Sequence, residues 1–241
     1  MRPNTNHARA LWSALLLTLS VSHVAFAESP SQTHERLQKS IQVLRELTSA
    51  PDDAIPEFVL KRAEAIVVVP SLIKGGFIVG AEHGNGVMSV RDTDNNTWSS
   101  PAFVSLSGGS FGAQIGVQSV DLVLLVVNRD GIDELLKDKF TLGANLSVAA
   151  GPVGRSAKAA TDVLLSAQIL AYSRTKGIFA GVTLDGSTLG PDRDSNEQFY
   201  GQRYATKEIV TPEATAPRRQ SAIARQWQDT LMMLAGSRAS R

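Results

Sequence analysis

The sequence predicts an α+β fold: a single domain with a strongly curved, barrel-like antiparallel sheet, flanked by short helices and followed by a C-terminal helix. Three observations predict it. First, glycine punctuates stretches of alternating residues, as in "GGFIVGAEHGNGVMSVRD", "GGSFGAQIGVQ" and "GIFAGVTLDGS". Glycine within a strand is costly and marks a bend, a bulge or close approach of another backbone, and small residues on an inner face permit tight curvature. Second, "SVDLVLLVVN" is apolar almost throughout, the mark of a strand, or a short helix, buried on both sides. Third, amphipathic helical spacing stands at either end, with Leu37, Ile41, Leu44 and Leu47 near the start and Ile223, Trp227, Leu231 and Leu234 near the end.

The elements follow in chain order. Residues 1–27 read as a secretory signal: Arg2, His7 and Arg9 open a basic start, a short apolar run follows, and Ala25-Phe26-Ala27 is the small-x-small pattern cleaved before Glu28. Ser20, Ser22 and His23 interrupt the run, which distinguishes it from a transmembrane helix. Residues 31–49 are helical, and their modest apolar stripe without an aromatic favours docking on the sheet. "PDDAIPEF" breaks that helix, and Pro56 begins a second through about residue 63. "AIVVVP" is a β-branched run, and "GGFIVGAEHGNGVMSVRD" reads as two strands joined by a tight turn at Gly84-Asn85-Gly86. The polar turn "DTDNNT" leads to "WSSPAFVSLS". "RDGIDELLKDKF" is a short helix with Asp130 as its N-cap, and "DVLLSAQILAYSRTKG" reads as two strands about a turn at "SRTKG". The domain thus runs over 28–204, a Pro/Thr/Ala-rich linker over 205–220, and the last helix and tail over 221–241. That helix either docks on the domain or offers a surface to a partner or membrane.

Composition narrows the function. The chain has no cysteine, which removes lipidated cysteine, disulfides, Cys-ligated metals and thiol nucleophiles together. Loss of Arg2 and Arg9 with the signal leaves 22 basic against 23 acidic side chains, a formal charge of −1. No global positive field points to nucleic acid, so an anion-binding surface has to be a local patch. Few aromatics (6%) and unevenly spaced strands argue against a membrane-spanning β-barrel.

"GGSFG" spells G-x-S-x-G about Ser110, the signature of a hydrolase nucleophile elbow. The residues after Ser110 alternate as a strand does, whereas an elbow serine sits between strand and helix. All four histidines (His7, His23, His34, His83) precede it, although that fold requires one after it. Ser110 is therefore not assigned as a nucleophile, and no catalytic residue is. Asp92, Asp94 and Asn96 begin like a calcium loop, but Thr97 and Phe103 stand where glycine and glutamate belong. Asp192, Asp194 and Glu197 cluster without a defined ligand spacing. No metal and no cofactor is assigned.

The most suggestive chemistry is "GPVGRSAK". Gly151 and Gly154 let backbone N–H groups converge, while Arg155 and Lys158 bring charge beside Ser156, a combination that suits a phosphate oxygen. It is not a Walker A loop, because Arg155 replaces the lysine and Ala149 the first glycine. Arg174 and Lys176 of "SRTKG", and Lys74 before Gly75-Gly76, are further basic positions that a curved sheet could gather at one rim, facing an anionic membrane.

The stretches "IPEFVLKRAEAIVVVPSLIKGGFIVG", "GNGVMSVRD", "WSSPAFVSLSGGSFGAQIGVQSVDLVLLV", "LGANLSVAAGPVGR", "AYSRTKGIFAGVTLDGS" and "NEQFYG" occur in order from Ile55 to Gly201. This ordered set resembles the SYLF-domain family, which includes yeast actin-patch proteins and exported bacterial members. The C-terminal helix lies outside the resemblance. The family likeness implies lipid binding, since eukaryotic members bind phosphoinositides and some bind actin, and it implies no enzymatic activity. An exported bacterial protein meets anionic phospholipids rather than actin. The expectation is thus non-catalytic binding of anionic phospholipid or a related amphiphile in the cell envelope, periplasmic or secreted, peripheral to a membrane. The alternative is an interaction protein of the envelope that finds a protein partner through the Trp227 helix.

Overall fold

The computed structural model describes residues 30–50, 54–92, 94–137, 139–154, 167–175, 178–179, 184–211 and 221–236. Two long strands carry the architecture. β1 (Ala65–Asp92) and β3 (Ala102–Val126) run antiparallel along nearly their whole lengths and curl into a half-barrel. From Ala65↔Val126 to Val69↔Leu122 the register is unbroken, and residues 65–69 and 122–126 are all at most 1% exposed. This is why "AIVVVP" and "SVDLVLLVVN" read as continuous apolar runs: both faces are covered.

Beyond Val69 the register shifts twice, between Val69 and Leu72 and between Gly76 and Ile78. Bulges bend a strand and increase its twist. At the first, Ser71 adopts φ 59°, a left-handed conformation, and its N–H donates to the Asp121 carboxylate at 3.0 Å. At the second, Gly116 takes φ 117°, open only to glycine. The strand then curls back on itself. A Cβ at Gly86 would lie 2.5 Å from the Val68 carbonyl oxygen, and one at Gly84 would lie 2.6 Å from the Val69 side chain. The turn expected at Gly84-Asn85-Gly86 is therefore absent. Those glycines sit inside one continuous strand, and they serve close approach rather than chain reversal. The coil closes where the Arg91 N–H donates to the Glu64 carbonyl at 2.7 Å, so that the two ends of β1 meet.

Short strands extend the sheet. β2 (Thr97–Trp98) returns on the end of β1 across the polar turn, whose Asp92 carboxylate accepts the Asp94 and Asn95 N–H groups. β6 (Ile169–Thr175) and β8 (Thr188–Pro191) pair with β3. β4 (Phe140–Thr141) pairs with β8, and β7 (Ile178–Phe179) with β6. β5 (Val148–Ala150) pairs parallel to β6, whereas the other strand pairs among the described residues are antiparallel.

The helices dress this sheet. α1 (Pro30–Ser49) buries Leu37, Ile41, Leu44 and Leu47 against it, as their spacing predicts. α2 (Glu57–Arg62) follows. α3 (Arg129–Leu135) is capped by Asn128, which accepts the Gly131 N–H, not by Asp130. Asp130 is the second residue of α3, in its first turn, where negative charge suits the helix N-terminus. The "PDRDSNEQFYG" cluster is α4 (Arg193–Tyr200), capped by Asp192 at its start and by left-handed Gly201 at its end. α5 (Thr206–Val210) occupies the start of the segment read as linker and buries Ile209 and Val210. α6 (Ala222–Ala235) docks on the domain: Trp227 is 0% exposed and its indole N–H donates to the Ser89 hydroxyl at 2.8 Å.

Two buried arginines tie helices to strands. Arg91 donates to the Ala63 and Gly236 carbonyls at 3.0 and 3.1 Å and lies 4.7 Å over the Trp98 ring. It thereby joins the C-terminal ends of α2 and α6, where a cation is favoured. Arg36 of α1 pairs with Asp192 at 2.9 Å and stacks 5.3 Å over Phe103.

Candidate functional site

The curl of β1 and β3 sorts its side chains by charge. Lys74 and Glu82 both turn inward and pair at 2.7 Å, almost wholly out of water, and the Ser187 hydroxyl donates to the same carboxylate. Their two charges cancel in place. The opposite face carries Ser71, Ile73, Ala81, His83 and Asn85 on β1, and Ser107, Gly109, Val117 and Ser119 on β3. Among these described residues there is no Asp, Glu, Lys or Arg; charge returns at the edge of the face, where Asp121 stands opposite Ser71 and pairs with Arg174 at 3.5 Å. Two are large aliphatics open to solvent, Val117 at 79% and Ile73 at 47% exposure. Strand register sets them on one face, because Ile73 pairs with Ser119 and Gly75 with Val117. Sequence reasoning missed this surface. The signal was present in "SLIKGGFIVG", where Lys74 and Ile73 necessarily point to opposite faces, but the bulges hid which face was inside.

The predicted site residues are dispersed differently from the expectation. Lys74 is not on a basic turn at a rim; it lies in β1, buried against Glu82. Arg174 lies in β6 and pairs with Glu46 of α1 and, at 3.5 Å, with Asp121. Both cations have carboxylate neighbours because the curl brings distant acids to them, which sequence order does not reveal. Gly151 stacks on Tyr172: a Cβ there would lie 2.1 Å from the ring carbon that bears the hydroxyl. Its N–H donates to the Ala171 carbonyl at 2.9 Å. Gly154 takes φ 55°, left-handed as a tight glycine turn requires. Arg155, Ser156, Lys158 and Lys176 lie outside the described residues.

The Tyr172 hydroxyl is buried with no hydrogen-bond partner among the described residues, and burial pushes its pKa well above the ordinary tyrosine value. Ser110 lies within β3 opposite Gly80, in strand rather than at a strand-to-helix turn. His83 stands on β1 opposite Ser107, and His34 packs on Phe199 with ring centroids 5.9 Å apart. No group of three or more His, Asp or Glu side chains among the described residues converges as a metal site would. Trp98, Phe199 and Tyr200 are core residues. Trp227 is core as well, so it is not available to a partner, and the outward face of α6 offers Met233 at 68% exposure instead.

A family model, Ysc84, described as "Las17-binding protein actin regulator", matches residues 107–232. The match runs into α6, so the C-terminal helix lies within the family's extent rather than outside it. Protein YSC84 of Saccharomyces cerevisiae is 33% identical over 196 residues, 78% of this chain and 42% of that protein. LAS seventeen-binding protein 3 of the same yeast is 36% identical over 169 residues, covering 69% and 36%. Human SH3 domain-containing YSC84-like protein 1 is 33% identical over 194 residues, covering 78% and 56%. The chain therefore spans little more than half, or less, of the length of these relatives.

Proposed function

The chain belongs to the Ysc84 (SYLF) family, and on that premise we propose that it binds anionic phospholipid, or a related amphiphile, without catalysing a reaction. We place that activity in a bacterial cell envelope, with the protein exported to the periplasm or beyond and peripheral to a membrane. The observation that carries the proposal is the outer face of the curl, where exposed Val117 and Ile73 stand among small and polar residues and charge is confined to the Asp121–Arg174 edge. A solvated sheet face ordinarily carries polar and charged side chains. Here Lys74 and Glu82 are turned inward and paired, and the aliphatics face out. Such a surface suits the boundary between lipid head and chain.

Phosphate recognition in this reading falls to the "GPVGRSAK" turn and to Lys176. Each cation near an anionic membrane contributes roughly 1 kcal/mol, so Arg155, Lys158 and Lys176 together supply about 3 kcal/mol. Lys74 and Arg174 leave that sum, because their carboxylate neighbours offset them. The remainder comes from apolar contact at the curl. The test is sedimentation of the purified protein with anionic and neutral vesicles at low and high salt. Salt-sensitive binding to the anionic vesicles, weakened by Arg155→Ala with Lys158→Ala and by Val117→Asp, is the expected result. Binding untouched by both changes would sink the assignment.

A second reading rests on the exposed Met233 of α6 and on the relatives' names, one of which is that of a LAS seventeen-binding protein. In that reading α6 presents its outer face to an envelope protein. A protein that binds no vesicle, together with loss of a co-purifying partner in Met233→Glu, would favour it.

A further inference from the structure

We infer that the cleft between α1 and the curl of β1 holds the phosphate head of one bound amphiphile, while the "GPVGRSAK" turn and Lys176 meet the other phosphates of the membrane surface; the assignment rests on the lipid reading above. The cleft has a volume of about 330 Å³, at the small end of ligand pockets. One wall is the first half of α1, with Gln32, Glu35 and Lys39. The floor is β1 passing over itself, where Ser71 and Ile73 come beside His83 and Asn85. Gly84 makes that floor possible, since any side chain there would strike Val69 and Leu72.

The lining is rich in donors. Gln32, Lys39, His83 and Asn85 all present N–H groups. One carboxylate, Glu35, is also present, 2.7 Å from Lys39, and both of its partners in that pair are more than half exposed. An exposed i,i+4 pair of this kind contributes only about 0.3–0.5 kcal/mol, so a phosphate can replace Glu35 as the partner of Lys39 at little cost. Arg36 closes the inner end but is held by Asp192. A donor-rich cleft suits an acceptor-rich group, and phosphate oxygens are the strongest such acceptors.

The way out of the cleft is apolar. Ile73 lines it and is half exposed, and Val117 continues the same face one register step on. Head and tail are thus matched by adjoining surfaces, one polar and one aliphatic. A free phosphate ester would use the first without the second.

The experiment titrates the purified protein with vesicles of equal parts phosphatidylglycerol and phosphatidylcholine, and separately with glycerol 3-phosphate. Wild type is compared with Lys39→Ala/His83→Ala, with Glu35→Gln, and with Arg155→Ala/Lys158→Ala. Losing donors to a charged phosphate weakens vesicle binding about tenfold or more in the first variant. Glu35→Gln tightens it, because the competing carboxylate is gone and Lys39 is released, a gain that a merely structural role would not produce. Melting curves check that the variants remain folded. If the two cleft variants bind like wild type while the Arg155/Lys158 variant does not, the cleft is overturned and the lipid reading stands. If glycerol 3-phosphate binds through Lys39 and His83 but vesicles do not, the lipid reading falls and the cleft stands as a site for soluble phosphate esters. If neither probe binds wild type, the cleft assignment is overturned.

Discussion

The same two strands build two unlike regions. At the closed end, residues 65–69 and 122–126 of β1 and β3 are sealed on both faces, and the two ends of β1 meet at Glu64 and Arg91. In the curl, residues 73–85 and 105–119 are thin in side chains, rich in glycine and open on one face. The closed end is held by dispersion and apolar burial, in which large side chains compete for space. The curl is held by backbone pairing, by the absence of Cβ atoms where the strand passes over itself, and by one buried ion pair. Stability and the proposed ligand contact thereby fall to different stretches of one continuous ladder.

The largest expected effect breaks the closed end. Trp227→Ala removes a wholly buried ring and its bond to Ser89, and should cost about 3–5 kcal/mol in denaturant unfolding. For the same reason, truncation before Ser221 should unfold the domain rather than free it from an appendage. In the curl, Lys74→Met leaves Glu82 buried without its cation, at a cost of about 3–5 kcal/mol. The double change Lys74→Met/Glu82→Leu should recover most of that loss. If it recovers nothing, the pair is not what holds the curl.

Next come the glycines. Gly86→Ala forces a methyl group within 2.5 Å of the Val68 carbonyl and should cost about 1–3 kcal/mol. At Gly109 the nearest atom to a Cβ is 3.9 Å away, so Gly109→Ala should stay within about 0.5 kcal/mol. Equal effects at the two would mean that self-approach is not what Gly86 serves.

Tyr172→Phe should raise stability by about 1 kcal/mol, since it deletes a buried hydroxyl that has no partner among the described residues. Tyr172 also sets a pH dependence. Burial raises its folded-state pKa above the unfolded value near 10. Its contribution is therefore fully present below about pH 10 and is lost as pH rises above that toward the folded value. Urea midpoints measured across that range should fall for wild type and fall less for the Phe variant.

Smallest in stability is Val117→Asp, an exposed change expected within about 0.5 kcal/mol. Its expected effect is on vesicle binding, as the proposed function requires. A large loss of stability there would mean that Val117 is structural, and the contrast between the two regions would blur.

Much of this molecule was legible in the chain itself. Helical spacing located α1 and α6 to within a residue or so, and the apolar runs located the sealed strands, because burial on a fixed period leaves a local record. Glycine density announced curvature. What the glycines did was not legible: a Gly-Asn-Gly inside a strand and one at a hairpin turn need the same missing Cβ, and only the strand's passage over Val68 and Val69 separates them. The caps divided likewise, Asn128 rather than Asp130 accepting the Gly131 N–H of α3, since both residue types suit the role and the local backbone geometry decides.

Of the candidate site, the sequence by itself determined which residue types were present: the cations, the glycine turn at 151–154, and the aliphatics among small residues. Tertiary structure alone decided their charges in context. Glu82 is eight positions from Lys74 and Glu46 far from Arg174, yet each is brought to its cation by the curl of β1 and the packing of α1. Electrostatic partnership depends on distance in space, whereas sequence records only order along the chain, and a strand that bends back on itself separates the two most.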